Sequence, residues 1–282
     1  MEFRTQVKIE NMGLEIQPLE PMLFVGSCFA ASIGRRFGEE KFPVIVNPHG
    51  VMYNPVSVLH SVTSYLSPPT TCIPVAFSPQ SHLSSPTSPR ITFLTLGTNH
   101  VYRLKETGEI VDNCQKRPQS LFQEEELTVD ECVGYLSQAV DELLRHRPDA
   151  RIVITVSPIR YAKYGFHGSQ LSKATLLLAA EELARRYECV TYFPAYEIVV
   201  DELRDYRFYQ IDMLHPSLLT VEYIWERLVE TCFSDRARQF LREWQPVKLA
   251  LAHRPINPDS PEYQQFLAEA RENEKKLLAK YQ

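Results

Sequence analysis

Two short groups of residues in this chain have the composition of nucleophilic catalysis. The first is Phe24-Val25-Gly26-Ser27-Cys28-Phe29-Ala30, where a small hydroxyl residue stands between an apolar run and a helix-like stretch. In a parallel sheet the carboxyl end of a strand is where ligands collect, and a helix N-terminus there can hold an oxyanion on its amides. Ser27 would attack; as a plain alternative, it would only cap the helix. The second group is Tyr209-Gln210-Ile211-Asp212-Met213-Leu214-His215-Pro216-Ser217. Asp and His three apart, in a loop stiffened by Pro216, can serve one spot: His215 taking a proton, Asp212 fixing its tautomer. Cys28 could itself attack, since helix N-termini lower thiol pKa values. One residue beyond Ser27, however, its side chain points elsewhere, and it reads as a buried structural cysteine.

The elements that must position these groups follow from periodicity. Residues 22–25 form an uninterrupted apolar run ending at Gly26, as a buried parallel strand does, and 44–46 form a second buried strand. Residues 30–40 read as a helix. Asn54 and Pro55 open another, as N-cap and first-turn proline. Residues 67–90 are rich in Ser, Thr and Pro and read as a loop insertion. Strand 91–96 follows, then a hairpin of 101–104 with 110–111 around Thr107-Gly108. Thr128 and Glu131 make a capping box for a helix over 128–146. Strand 151–156, helix 171–187, strand 190–193 and helix 218–233 complete the alternation. The pattern predicts an α/β fold with a doubly wound parallel sheet. Residues 1–252 would form the main domain, and 253–282 a linker and C-terminal helix. That helix, over 261–281, could pack on the domain, stay solvated, or meet a second copy in a homodimer.

Composition narrows the function classes. The chain has 282 residues, 44% hydrophobic and 23% charged, enough apolar material for a real core. A net charge of -5, spread without basic blocks, argues against nucleic-acid binding. Residues 1–17 carry no long apolar stretch, so neither a secretory signal nor a membrane span is expected. The six cysteines are widely spaced, with no Cys-x-x-Cys, and read as reduced thiols of a cytoplasmic protein rather than as disulfides or a zinc site.

Gly26-Ser27-Cys28-Phe29-Ala30 with the downstream Asp212-Met213-Leu214-His215-Pro216-Ser217 resembles the GSCFA family, grouped with the SGNH (GDSL-like) hydrolases. Other stretches join the resemblance: Asn47-Pro48-His49-Gly50, Tyr53-Asn54-Pro55, Thr95-Leu96-Gly97-Thr98, Val156-Ser157-Pro158-Ile159-Arg160, Ser172-Lys173-Ala174 and Phe193-Pro194-Ala195-Tyr196-Glu197. It spans roughly residues 21–233. It implies a flavodoxin-like three-layer fold and a triad of Ser27, Asp212 and His215. It also implies an oxyanion hole from the Ser27 amide, Gly50 and Asn99, with Asn113 competing for the last place. His100 stands where the superfamily has Asp after that Asn, and Gly-Ser replaces its Gly-Asp-Ser. Tyr161 stands where relatives tend to have His. Arg160, His100 and Tyr161 are candidates for substrate binding, Arg160 as a cation for a carboxylate or phosphate, or as a salt-bridge partner; His167, Lys163 and Lys173 could line the same region.

The function so implied is a serine esterase acting on an ester or O-acyl group of a small molecule or carbohydrate, through an acyl-enzyme on Ser27. Such a reaction requires neither metal nor organic cofactor. Two alternatives stand beside it: a non-catalytic protein binding an acylated or anionic ligand, and an acyltransferase using the same Ser-His pair.

Overall fold

Side chains along the strands alternate between two apolar layers, and this alternation builds the molecule. Strand β1 (Met22–Gly26) sends Met22 and Phe24 to one layer and Leu23 and Val25 to the other. Strand β3 (Ile91–Leu96) splits likewise, with Phe93 on the first side and Leu94 and Leu96 on the second. A strand that is apolar on both faces requires cover on both. The first face is covered by α1 (Cys28–Glu39) and α6 (Leu218–Cys232), the second by α2 (Pro55–Leu66), α3 (Val129–His146) and α4 (Gly165–Arg186). The result is the three-layer α/β arrangement. The computed structural model describes residues 4–10, 12–67, 89–114 and 116–282, so the insertion read at 67–90 lies, from 68 to 88, outside the described residues.

Among the described residues the main sheet has five strands, all parallel, in the order β2-β1-β3-β7-β8, where β2 is Val44–Val46, β7 Arg151–Val156 and β8 Val190–Tyr192, the last followed by the one-turn helix α5 (Ala195–Glu197). This is the flavodoxin-like winding, with its switch point between β1 and β3. Because β2 lies at an edge, its three residues are only half-buried, not enclosed as the apolar run suggested. A small antiparallel sheet, β5-β4-β6, stands apart: β4 (His100–Leu104), β5 (Ile110–Val111) and β6 (Phe122–Glu126). The hairpin of β4 and β5 matches the sequence reading; β6, with Glu124, Glu125 and Glu126 in sequence, carries no apolar alternation to announce it.

Helix α1 approaches the sheet closely. An added Cβ on Gly34 would meet Val46 Cγ2 at 2.6 Å and the Phe24 ring at 3.1 Å. Below it Phe24 stacks on Phe93 with centroids 4.7 Å apart, and Phe37 meets Trp225 edge-on at 4.8 Å. Each such pair adds ~0.5–1.5 kcal/mol beyond its buried area.

After α6 the chain forms two further helices, α7 (Asp235–Ala252) and α8 (Pro261–Tyr281). Helix α8 packs on α7 through Tyr281 against Phe240, ring centroids 5.2 Å apart, with Ala270 and Leu277 buried. No described helix is long and apolar enough to cross a membrane. The described cysteines are free thiols.

Candidate functional site

Three strand ends and one loop converge at the carboxyl rim of the sheet. At the end of β1, Gly26 has φ +141°, and an added Cβ would lie 2.1 Å from the Thr95 carbonyl oxygen. Only glycine lets β1 turn this close to β3. Ser27 follows, its amide donating to Thr95 O at 3.1 Å, and its Oγ accepts from the Phe29 amide at 3.2 Å. Ser27 is thus the N-cap of α1, and it is wholly buried, so the expected nucleophile is enclosed and engaged. Cys28, the first residue of α1, is partly buried and packs against the core beneath the helix, with some surface left open. Burial raises its thiol pKa, while the amides of Cys28 and Phe29 and the Lys173 ammonium pull it down and Asp212 pushes it up.

The loop 208–217 holds Asp212 and His215 in a fixed turn. Asp212 Oδ1 accepts from the amides of Leu214 at 2.9 Å and His215 at 3.0 Å, and Oδ2 lies 2.6 Å from His215 Nδ1. The His215 amide, then that of Leu214, then the His215 ring hold the Asp212 carboxyl down to about 2. Met213 takes φ +58° inside this turn. Gln210 N donates to His215 O at 2.7 Å, and Ser217, the N-cap of α6, donates its amide to Phe208 O at 2.9 Å. The neck of the loop is therefore stapled. With Nδ1 facing Asp212, the ring's Nε2 is left for proton transfer.

Arg160, at the end of β7, grips this loop. Its amide donates to Leu214 O at 3.1 Å and its Nη1 to Met213 O at 2.8 Å. The guanidinium lies 4.2 Å from the Phe166 ring centroid and 5.4 Å and 5.6 Å from those of Tyr206 and Tyr209. Arg160 thereby holds the Asp212–His215 turn in place.

Tyr161 lies beside it, edge-on to Tyr53 at 6.3 Å. A Cβ on Gly97 would meet the Tyr161 hydroxyl at 2.3 Å, so the glycine leaves room for the phenol. That hydroxyl is shut off from solvent and has no hydrogen-bond partner among the described residues. Burial, and then the nearness of a Cys28 charge, holds it well above the usual phenol range. Below, Lys173 of α4 is fully buried and donates to Gly97 O at 2.6 Å and Ser157 O at 2.7 Å. Burial drives its ammonium down to about 7, with a Cys28 charge acting in the other direction. It braces the ends of β3 and β7 from within.

The two oxyanion donors expected beyond Ser27 are otherwise engaged. Gly50 donates its amide to Asn47 O at 2.9 Å, closing the turn after β2. Asn99 gives Nδ2 to Leu127 O at 2.8 Å and its amide to Ser172 Oγ at 3.1 Å. Gly97 and Thr98 both donate to Tyr53 O, at 2.8 and 2.9 Å. Asn113 lines a groove with His49, Gly50 and Arg117 instead. His100 joins a different group: its ring stacks on Tyr164 at 3.6 Å and Nδ1 lies 3.4 Å from Glu124, whose other neighbours include Lys163. His167 is exposed.

A family model described as the GSCFA family matches residues 21–76 and 78–228, and one described as the GSCFA domain protein, C-terminal domain, matches 244–282. The chain belongs to the GSCFA family. No curated protein matches it. Among solved structures, a protein from Streptococcus pneumonia described as a platelet activating factor is 17% identical, covering 77% of this GSCFA chain and 85% of its own, with a TM-score of 0.48. A family two carbohydrate esterase from Clostridium thermocellum, in complex with cellohexaose, is 15% identical over 76% of this chain and 64% of that one, at a TM-score of 0.37. A carbohydrate esterase of family 3 from Talaromyces cellulolyticus is 9% identical over 79% and 98%, at 0.40. None of these likenesses carries weight for substrate or chemistry. Within the GSCFA site, sequence reasoning missed the bracing role of Lys173 and the grip of Arg160 on the loop. The signal for both was a cation within a largely apolar context.

Proposed function

We propose that this GSCFA protein is an SGNH-type hydrolase that cleaves an ester or O-acyl group of a small molecule or carbohydrate. The supporting observation is the Asp212–His215 pair, oriented at 2.6 Å and held by Arg160 at the same rim where β1 gives way to α1. A base whose Nδ1 is fixed by a carboxylate at the carboxyl end of a parallel sheet suits acyl transfer, with His215 passing a proton from the nucleophile to the leaving alcohol. The nucleophile comes from the Ser27–Cys28 corner, and the start of α1 offers amides and a helix dipole to the oxyanion.

The test is turnover of p-nitrophenyl esters of short and long acyl chains, and of acetylated sugars. Wild type should release nitrophenol above the buffer rate. His215→Ala should lower kcat/KM by ~10²–10⁴-fold, the usual contribution of a general base. Wild-type turnover equal to that of His215→Ala across the whole panel defeats the proposal. A binding protein for an acylated ligand is the second reading, favoured by the engagement of Gly50 and Asn99; ligand-induced thermal shift without hydrolysis would select it.

A further inference from the structure

We infer that the nucleophile of this site is the Cys28 thiol, with Ser27 serving as its helix cap, so that the covalent intermediate is a thioester. The inference rests on the hydrolase reading and names the atom that reading left open.

Ser27 has no exposed surface and its Oγ is taken up by the Phe29 amide. To attack, that oxygen would have to give up its cap bond and leave its enclosed position. Cys28, one residue on, is only partly buried at the first position of the helix, where Ser32 Oγ donates to its carbonyl at 3.1 Å. Around it stand the groups of an acyl-transfer centre. Asp212, the partner of His215, is near enough to act on the thiol electrostatically, and so is Lys173. Tyr53 and Tyr161 stand near enough to feel a thiolate formed on the same sulfur. The Tyr161 hydroxyl is enclosed like that of Ser27, but unlike it has no partner among the described residues, so its proton can be given to an oxyanion.

Because burial keeps Cys28 protonated, attack needs a base. His215 Nε2 takes the thiol proton as Sγ bonds to the acyl carbon. The tetrahedral adduct collapses, the carbon–oxygen bond to the alcohol breaks, and the departing alkoxide receives the proton from His215. Water then attacks the thioester carbonyl while His215 removes its proton. The carbon–sulfur bond breaks, Sγ is reprotonated by His215, and the carboxylic acid leaves.

The experiment is acylation of the full chain with p-nitrophenyl acetate, quenched in acid and read by intact mass, with the adduct then exposed to neutral hydroxylamine. Thioesters are cleaved by neutral hydroxylamine, whereas serine esters persist. Wild type should carry a hydroxylamine-labile acetyl group. Ser27→Ala should keep that labile adduct, with a lower melting temperature from the lost cap. Cys28→Ala should lose it, and Cys28→Ser, which keeps the shape of the site, should give a hydroxylamine-resistant adduct or none. Melting curves of each variant check that the fold is kept. A resistant adduct on wild type that survives Cys28→Ala and vanishes in Ser27→Ala overturns the inference while the hydrolase reading stands. Absence of both adduct and turnover in wild type overturns the two together.

Discussion

Tyr161 and Lys173 show how the site spends stability at single residues. A buried hydroxyl without a partner costs ~1–3 kcal/mol, and among the described residues the Tyr161 hydroxyl is such a group. Tyr161→Phe should therefore raise the melting temperature while lowering kcat by about 10²-fold, the scale of one oxyanion donor. Thermal melts and ester kinetics on the same preparations check both directions; a stabilised variant with full turnover would remove Tyr161 from the chemistry. Lys173 has the opposite sign of consequence with pH. Its ammonium ordinarily holds a proton up to 10.5, but in the fold only to about 7. Between those values the unfolded chain binds more protons, so rising pH favours the folded state, and below 7 the penalty is present in full. Relative to Lys173→Met, wild type should gain stability from pH 7 toward pH 10, read as the difference in urea midpoints. A constant difference would show that Lys173 keeps its charge throughout. Asp212 and His215 were legible as a pair because Asp-x-x-His before a helix cap is local chemistry. The engagement of Gly50 and Asn99 was not, because their partners, Asn47 and Leu127, are chosen by how loops close.

Elements set by local rules were readable, and those set by tertiary contacts were not. The capping box of Thr128 and Glu131 is present, and Asn54 caps α2 as its side chain suggested. Helix α4 begins at Gly165, six residues before the apolar periodicity showed it, because its first turns bury polar Ser169 and place Ser172 and Lys173 against the ends of β3 and β7. Helix α7 escaped the sequence reading. Pro246 sits in its interior and removes a backbone donor, which ordinarily marks a helix end; burial of Ala237, Phe240 and Trp244 offsets that loss here. At the junction of β1 and α1 the geometry allows no compromise. Gly26→Ala would place a methyl 2.1 Å from a backbone oxygen, at a φ of +141° that an L side chain rarely adopts. Strain of this kind costs ~1–3 kcal/mol for the backbone alone, so the variant should melt earlier and lose acylation, since the start of α1 must shift. Far-UV circular dichroism with a urea titration checks it; an unchanged midpoint would contradict the close approach.

Across the whole molecule, the end of α1 remote from the site is the anchor for the last two helices. Glu40, which caps α1, is buried between Arg36 and Lys248 of α7, the latter at 2.7 Å. Lys41 reaches Glu274 of α8 at 2.7 Å and lies over Trp244. One partner of a buried pair cannot be neutralised cheaply: Glu40→Gln should cost about 3 kcal/mol, with α7 and α8 exchanging amide hydrogens faster than the sheet. A variant whose exchange rises evenly over all elements would show no such division. The opposite edge of this face is closed by residues far apart in the chain. Ile16 donates its amide to Cys232 O at 2.7 Å and accepts from Ser234 at 3.1 Å, while Arg227 holds Val7 O. Met12, Leu14 and Ile16 lie buried there against α6. On a ribosome, this strip emerges well before α6 and finds its cover only when α6 has been made. Throughout that interval three apolar side chains stand open to water on a nascent chain, and they are the place where a chaperone has something to hold.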